Sequence, residues 1–317
     1  MCASTTPRRA RGVRDPDRPQ GKTARQQDTA PWVEYSTTVR FGAHVSIRGY
    51  VYQAADRAAR LGCECLQIFV GSPRTWREVR YPAEDLAELR RRCRAYGLRP
   101  LVAHAAYLVN LAAGDEVFKR SVRHLAHALR TVEQAGGLGV VTHLGSRGDT
   151  PLPRAVERVA LGVSQALADS QRAMVLLEGS AGRTLGTFEE LSMVLDALHG
   201  HPRVGVCLDT AHLFAAGWDL RTPEGVDATL QAFHERVGLG RLQLVHLNDS
   251  QAQLGSGLDR HENIGRGFIG LAGFRAWVHH PRLRHLSGVI ETPGFDRTGP
   301  DRANLQRLKR LRDGGSR

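Results

Sequence analysis

The chain has 317 residues and a net charge of +12, with 41% of its residues hydrophobic and 24% charged, the proportions of a soluble protein with a sizeable core. That length is more than one ordinary domain and slightly more than a (β/α)8 barrel needs, so one barrel with an appendage, or two small domains, are the opening choices. No uninterrupted apolar run approaches the roughly 20 residues of a membrane span, which excludes a transmembrane helix.

Nearly all the positive charge is arginine, because Lys22, Lys119 and Lys309 are the only lysines. Excess cation favours a polyanionic partner through counterion release, although an Arg-rich tail or genomic base composition gives the same balance. The five cysteines (Cys2, Cys63, Cys65, Cys93, Cys207) are odd in number and contain no C-x-x-C pair. They are neither a disulfide framework nor a thiolate zinc knuckle, and a reducing cytoplasm fits them best.

Residues 1–38 are rich in Arg, Pro, Gln, Asp and Thr and lack an apolar period, which predicts a disordered basic tail without the apolar core of a signal peptide. From residue 39 to residue 317 the text alternates short apolar runs with amphipathic stretches, the pattern of βαβ units. The runs are Val39 to Val45, Cys65 to Val70, Arg99 to Ala103, Gly139 to Thr142, Met174 to Leu177, Val204 to Leu208, Leu242 to His246 and Gly288 to Ile290. Between the second and third, Leu86, Leu89, Cys93 and Tyr96 keep a helical period. In the next unit Leu125, Ala128, Leu129 and Val132 do the same. Eight such repeats close an α/β (β/α)8 TIM barrel. A doubly wound open sheet fits less well, since no G-x-G-x-x-G follows the first strand.

In a parallel barrel the catalytic groups stand at the C-terminal ends of the strands. The first run ends at His44, the third at His104, the fourth at His143 and the fifth at Glu178. The sixth gives Asp209 followed by His212, the seventh His246 and the eighth Glu291. The loop after the seventh run adds Asp259 and His261, whose i, i+2 spacing puts both on one side of an extended segment. A single strand-end histidine is more often structural than a metal ligand, but with His44 set aside the nine remaining His, Asp and Glu side chains at one mouth suit Zn²⁺, Mn²⁺ or Fe²⁺. Five imidazoles and four carboxylates exceed the four ligands of one tetrahedral ion, so two or three metals are expected, with Glu178 able to bridge. His124, His127, His234, His279 and His280 lie in helical or linking text and read as surface residues.

These residues carry a family likeness. The segments GAHVSI, AHAAYLVNLA, VTHLGS, LLEGSAG, GVCLDTAHLFAAGWDLRT, HLNDS, DRHENIGRGFIG and IETPG occur in that order between about residues 41 and 294, and together they resemble the endonuclease IV family of apurinic/apyrimidinic endonucleases. The resemblance implies a (β/α)8 barrel with three zinc ions that incises double-stranded DNA on the 5′ side of an abasic nucleotide. It implies His104 and His143 on the first zinc, Glu178 bridging to the second, Asp209, His246 and Glu291 completing the second, and His212, Asp259 and His261 holding the third. It also implies that Arg74, Tyr107 and Leu108 enter the duplex, a task suited to a guanidinium, a ring and an aliphatic wedge. The chain departs from the family at Ser72, Gly179, Ser180 and Ala211, none of them a ligand. Gly179 lacks the side-chain amide that commonly stands beside the bridging Glu.

The chemistry implied is in-line attack on phosphorus by a hydroxide held at the first two zincs, with Glu178 as the central carboxylate and no side-chain base. A monomer suffices for it. The rival enzyme reading is a metal-dependent barrel sugar isomerase or epimerase, which needs one or two ions and has no evident use for His104 and His143 together with the Asp259 and His261 loop. The rival without catalysis is a basic nucleic-acid-binding protein with a structural metal site.

Overall fold

The computed structural model describes Met1, residues 38–182 and residues 184–314. The tail expected over residues 1–38 therefore lies almost wholly outside the described residues. Seven strands follow one another as β1 (Arg40–His44), β2 (Cys65–Phe69), β3 (Leu101–His104), β4 (Gly139–His143), β5 (Met174–Glu178), β6 (Val204–Asp209) and β7 (Leu242–His246). A two-stranded antiparallel piece, β8 (Asp249–Ser250) with β9 (His261–Glu262), sits in the next loop, and β10 (Ser287–Ile290) completes the set. The eight longer strands form a closed barrel in the order β1-β10-β7-β6-β5-β4-β3-β2, every pairing parallel. Each of the eight apolar runs supplies one strand.

Side chains alternate between the two faces of a strand, and that alternation builds both the core and the mouth. One inward layer consists of Cys65, Val102, Val141, Met174, Leu176, Cys207, Leu244 and Val289, packed with one another inside the barrel. Two residues further along the strands, and therefore on the same face, come Gln67, His104, His143, Glu178, Asp209, His246 and Glu291. A dry layer thus lies under a polar one. Outward residues such as Phe41, Ile68, Val140, Leu177 and Leu208 join the larger core beneath the helices. Closure leaves no room at some positions: a Cβ on Gly139 would fall 2.2 Å from the carbonyl oxygen of Met174.

The surrounding helices are α1 (Gln53–Leu61), α2 (Ala83–Ala95), α3 (Asp115–Gln134), α4 (Leu152–Ala168), α5 (Phe188–Ala197), the short α6 (Thr210–Ala215), α7 (Pro223–Arg236), α8 (Gly270–His279) and α9 (Arg302–Arg312). Their starts are written in the sequence. Thr187 and Glu190 form a reciprocal capping box at α5, and Thr222 precedes Pro223 at α7, both standard N-terminal signals. Asp209 caps α6 by accepting the N–H groups of Ala211 and His212.

Three helical expectations need correction. His124 and His127 are not surface residues: they are 4% and 8% exposed, because the buried stripe of α3 is wide enough to include them. His124 packs edge-on against Trp76, and Nε2 of His127 lies 3.0 Å from the carbonyl of Val79. Tyr96, expected on the buried face of α2, is exposed at the helix end, with its hydroxyl donating to Asp56 at 3.0 Å. His234 and His279 are exposed, and His280 is half-buried. Among the described residues no helix is long and apolar enough to cross a membrane, and the four cysteines Cys63, Cys65, Cys93 and Cys207 are buried and unpaired.

Candidate metal centre

The strand ends converge as the sequence pattern implies. Glu178, at the end of β5 and 1% exposed, stands at the centre with its two oxygens turned to different neighbours. Oε2 lies 3.1 Å from Nε2 of His104 and 3.4 Å from Nε2 of His143. Oε1 lies 2.8 Å from Nδ1 of His246. That same Nδ1 is 3.4 Å from Oε2 of Glu291 and 3.9 Å from Oδ2 of Asp209. Beside this group, Asp259 places Oδ2 3.3 Å from Nε2 of His212 and Oδ1 3.2 Å from Nε2 of His261, which is itself 3.5 Å from Oδ2 of Asp209.

The donor atoms fall into overlapping sets, each with all members within 4.8 Å of one another: His104, His143 and Glu178; Glu178, Asp209, His246 and Glu291; and Asp209, His212 and His261. Mixed imidazole and carboxylate donors at this spacing can hold divalent metal ions. The buried Nε2 of His261 has carboxylate oxygens at 3.2 and 3.5 Å but no well-aligned hydrogen bond to either, a second mark of a place made for a cation. Asp209 also reaches the set for which the resemblance implies His212, Asp259 and His261, so one carboxylate serves two groups. Cys207 lies close to Glu178 and His246, but burial pushes its thiol up to about 12, keeping it neutral in the layer below.

Three imidazoles have one nitrogen tied to the scaffold, which aims the other into the centre. Nδ1 of His104 donates to the carbonyl of Ala105 at 2.7 Å, Nδ1 of His212 to the carbonyl of Gly179 at 3.0 Å, and Nε2 of His246 to Oε1 of Gln67 at 2.9 Å. Gly179 thus contributes its backbone. A Cβ there would stand 3.3 Å from the carbonyl oxygen of Gly186, a tight fit that explains why a residue without a side chain suits this loop.

The charges are strongly coupled. Burial alone would raise the carboxyl of Glu178, but the neighbouring imidazoles His143, His246 and His104 outweigh it and hold Glu178 well below the usual carboxylate range. Burial likewise opposes, and His246 and His44 overcome it for, a lowered Glu291. Asp259 is lowered against burial by His212 and His261. In turn, despite burial, Asp209 and Asp259 with Glu178 raise His212 to about 10, and Asp209 with Asp259 raises His261 to about 9. His143 goes the other way because burial dominates.

Further residues complete the mouth. His44, the end of the first run, is not among the metal-capable sets but donates Nδ1–H to Oε1 of Glu291 at 2.9 Å. Gln67 and Asn248, both fully buried, escaped sequence reasoning as individual site residues. Gln67 is the sole polar residue of the β2 run, at the inward parity, and that was its signal. Asn248 belongs to the HLNDS segment, where the neighbouring histidine drew the attention. The carboxylate of Asp249 collects backbone N–H groups from Ser250, Gly265, Gly267, Ile269 and Gly270 at 2.8 to 3.4 Å, closing the loop that carries Asp259 and His261. On the rim, Arg74 is exposed, Tyr107 is 63% exposed and Leu108 is half-buried. The N–H of Tyr107 donates to the carbonyl of Pro73 at 3.0 Å, which joins its loop to that of Arg74.

Comparison with known proteins agrees with this arrangement. A family profile described as a xylose isomerase-like TIM barrel matches residues 55–313. The chain is 41% identical over 279 residues to the probable endonuclease 4 of Methanoculleus marisnigri, covering 86% of this chain and 99% of that one. It superposes on the crystal structure of endonuclease IV from Thermus thermophilus with a TM-score of 0.77 and 36% identity, over 87% of this chain and 99% of the other. The 3-keto-D-glucoside 4-epimerase of E. coli shares the fold alone, at 15% identity and a TM-score of 0.60 over 86% and 99% of the two chains. By sequence and by structure the chain belongs to the endonuclease IV family.

Proposed function

We propose that this protein is a DNA-repair endonuclease that hydrolyses the phosphodiester 5′ to an abasic site in double-stranded DNA, leaving a 3′-hydroxyl and a 5′-deoxyribose phosphate, with three zinc ions held by His104, His143, Glu178, Asp209, His212, His246, Asp259, His261 and Glu291. The observation that carries this reading is Glu178, whose two oxygens address separate donor sets 3.1 and 2.8 Å away. Divalent ions there, Zn²⁺ or the Mn²⁺ and Fe²⁺ that the same ligands accept, supply charge for the phosphoryl oxygens and an activated water.

The chain's own residues do the rest. His104, His212 and His246 keep one nitrogen bonded to the scaffold and present the other inward. The dry layer beneath them closes the mouth from below, which raises the strength of every charge interaction above it. Arg74, Tyr107 and Leu108 stand on the rim, where a cation, an exposed ring and an aliphatic side chain suit a duplex from which one nucleotide is turned out. An epimerase with one or two ions leaves the His212, Asp259 and His261 set without a purpose. The buried free thiols suit a reducing cytosol.

The test is the metal content of the purified protein together with incision of a duplex bearing one tetrahydrofuran abasic analogue. About three ions per chain, with cleavage 5′ to the analogue that a chelator abolishes, is the expected result. One ion and turnover of a ketose would mean an epimerase. Binding without cutting at any added Zn²⁺, Mn²⁺ or Co²⁺ would mean a non-catalytic binder.

A further inference from the structure

Gln67 lies in the barrel wall at β2, paired in register with His44 of β1, yet its amide reaches residues from β7 and the end of β10. Its Oε1 accepts from Nε2 of His246 at 2.9 Å, and its Nε2 donates to Oε1 of Glu291 at 2.7 Å while standing 3.0 Å from Nδ1 of His44. The residue is 0% exposed, so neither contact can be exchanged for bulk water.

We propose that Gln67 is a positioning residue for the reaction: its amide fixes which nitrogen of His246 and which oxygen of Glu291 are left to hold a cation. The inference rests on the ligand assignment proposed above. An amide offers a fixed acceptor and a fixed donor on a single planar head, with no titration between them. The acceptor holds the proton of His246 on Nε2, so Nδ1 faces Oε1 of Glu178 at 2.8 Å. The donor, together with Nδ1–H of His44, occupies Oε1 of Glu291. Glu291 then has Oε2 for the centre, 3.4 Å from the same Nδ1 of His246. Partners that orient metal-ligating imidazoles and carboxylates are worth about 10- to 100-fold in metal affinity. The side-chain hydrogen bonds of Gln67 go to His246, Glu291 and His44, not to the rim residues Arg74 or Tyr107.

The test compares full-length wild type with Gln67→Met, which keeps the volume but removes donor and acceptor, and Gln67→Ala, which removes the head altogether. His246→Ala is carried as a control for the ligand assignment. The readouts are competition for zinc with a chromophoric chelator, the visible absorption of the Co²⁺-loaded proteins, the dissociation constant for an abasic-analogue duplex, and the split between kcat and KM.

Both Gln67 variants are expected to lose at least one ion about 10- to 100-fold more readily than wild type, with an altered Co²⁺ spectrum. They should also have a lowered kcat and duplex affinity within about twofold of wild type, as contacts confined to the centre predict. Wild-type competition curves and Co²⁺ spectra in both variants overturn the role of Gln67. A circular-dichroism melt checks folding, and a Gln67→Met protein that is folded but wild-type in metal binding overturns it alone. Failure of the underlying reading looks different: wild type without bound ions, or His246→Ala with all of them, removes the ligand assignment before Gln67 is considered.

Discussion

The side-chain amide of Asn248 donates to Oδ2 of Asp209 at 2.7 Å, and both groups are fully buried. The other end of the same amide accepts the backbone N–H of Glu291 at 2.7 Å, so one residue spaces two members of the Glu178, Asp209, His246 and Glu291 set. Asn248→Ala leaves a buried carboxylate oxygen and a partly buried N–H without partners, at a cost of about 1 to 3 kcal/mol. The expected outcome is a lower melting temperature and, in chelator competition, weaker retention of the ion at that set. Asn248→Asp should be worse for metal retention than its size suggests, because it turns a donor into a second carboxylate against Asp209. Unchanged retention in both variants would mean that Asp209 is held by its cap contacts to Ala211 and His212 alone.

Glu178→Gln keeps the volume at the centre and removes the charge that two donor sets share. A neutral amide presents one acceptor oxygen where the carboxylate presents two, so it cannot serve His104 and His143 on one side and His246 on the other. Incision should fall by about 10²- to 10³-fold or more, the size expected when a central charge-stabilising group is lost. Binding to the abasic-analogue duplex should survive in a gel-shift assay, since the rim is untouched. Full incision with correct metal content would count decisively against the central role of Glu178.

Much of this was legible because a parallel barrel strand is buried on both faces and reads as an apolar run ending in the residue that matters. The apolar runs gave His104, His143, Glu178 and Asp209 as terminators, whereas in the structure these residues are the last members of β3 to β6. The difference is physical: an inward polar side chain at the mouth is still hydrogen-bonded in the sheet. β8 and β9 were illegible because each is two residues long, too short for any alternation to show. His124 and His127 were misread because α3 is covered by the loop containing Trp76 and Val79, a contact between segments that no helical period records.

Chelator-treated protein should respond to pH through His212 and His261. Their pKa values are raised to about 10 and about 9, above the 6.5 or so of the unfolded chain. The stabilisation they contribute is fully present below about pH 6.5 and is lost as pH rises through about 9 to 10. A melting temperature that falls across that window, and does so less in the metal-loaded protein, is the expected pattern. Cations compete with the same protons, so loading at pH 7.5 should release about two protons from this set, measurable in a weakly buffered titration. Loading without proton release would show that these imidazoles do not meet the ion.

Asp249 gives a way to remove one donor set selectively. Its carboxylate is the shared acceptor for five backbone N–H groups in the loop between β7 and α8, and β8 to β9 pairing aligns Ser250 with His261. Asp249→Ala should cost about 3 kcal/mol, as other losses of a buried hydrogen-bond network do. It should also remove one of the three ions per chain proposed above, because Asp259 and His261 lose their fixed position while His104, His143 and Glu178 keep theirs. Equal loss of all ions would indicate general unfolding, which a melting curve separates from the local effect.

The ring of Tyr107 is 63% exposed and meets Phe69 edge-on at 5.4 Å between centroids, and its backbone is bonded to Pro73, next to Arg74. Little of the folded state depends on so exposed a ring, so Tyr107→Ala should change the melting temperature by only a degree or two. A ring that fills a DNA stack is worth about 1 to 3 kcal/mol, so duplex affinity should fall about 5- to 150-fold, more for an abasic-analogue duplex than for an intact one. Tyr107→Phe keeps the ring and should bind nearly as wild type. Arg74→Ala should weaken binding and flatten the salt dependence, because a guanidinium that enters the duplex also neutralises phosphate. Equal losses for Tyr107→Ala on intact and abasic duplexes would show that the ring touches the backbone of the DNA rather than entering the gap.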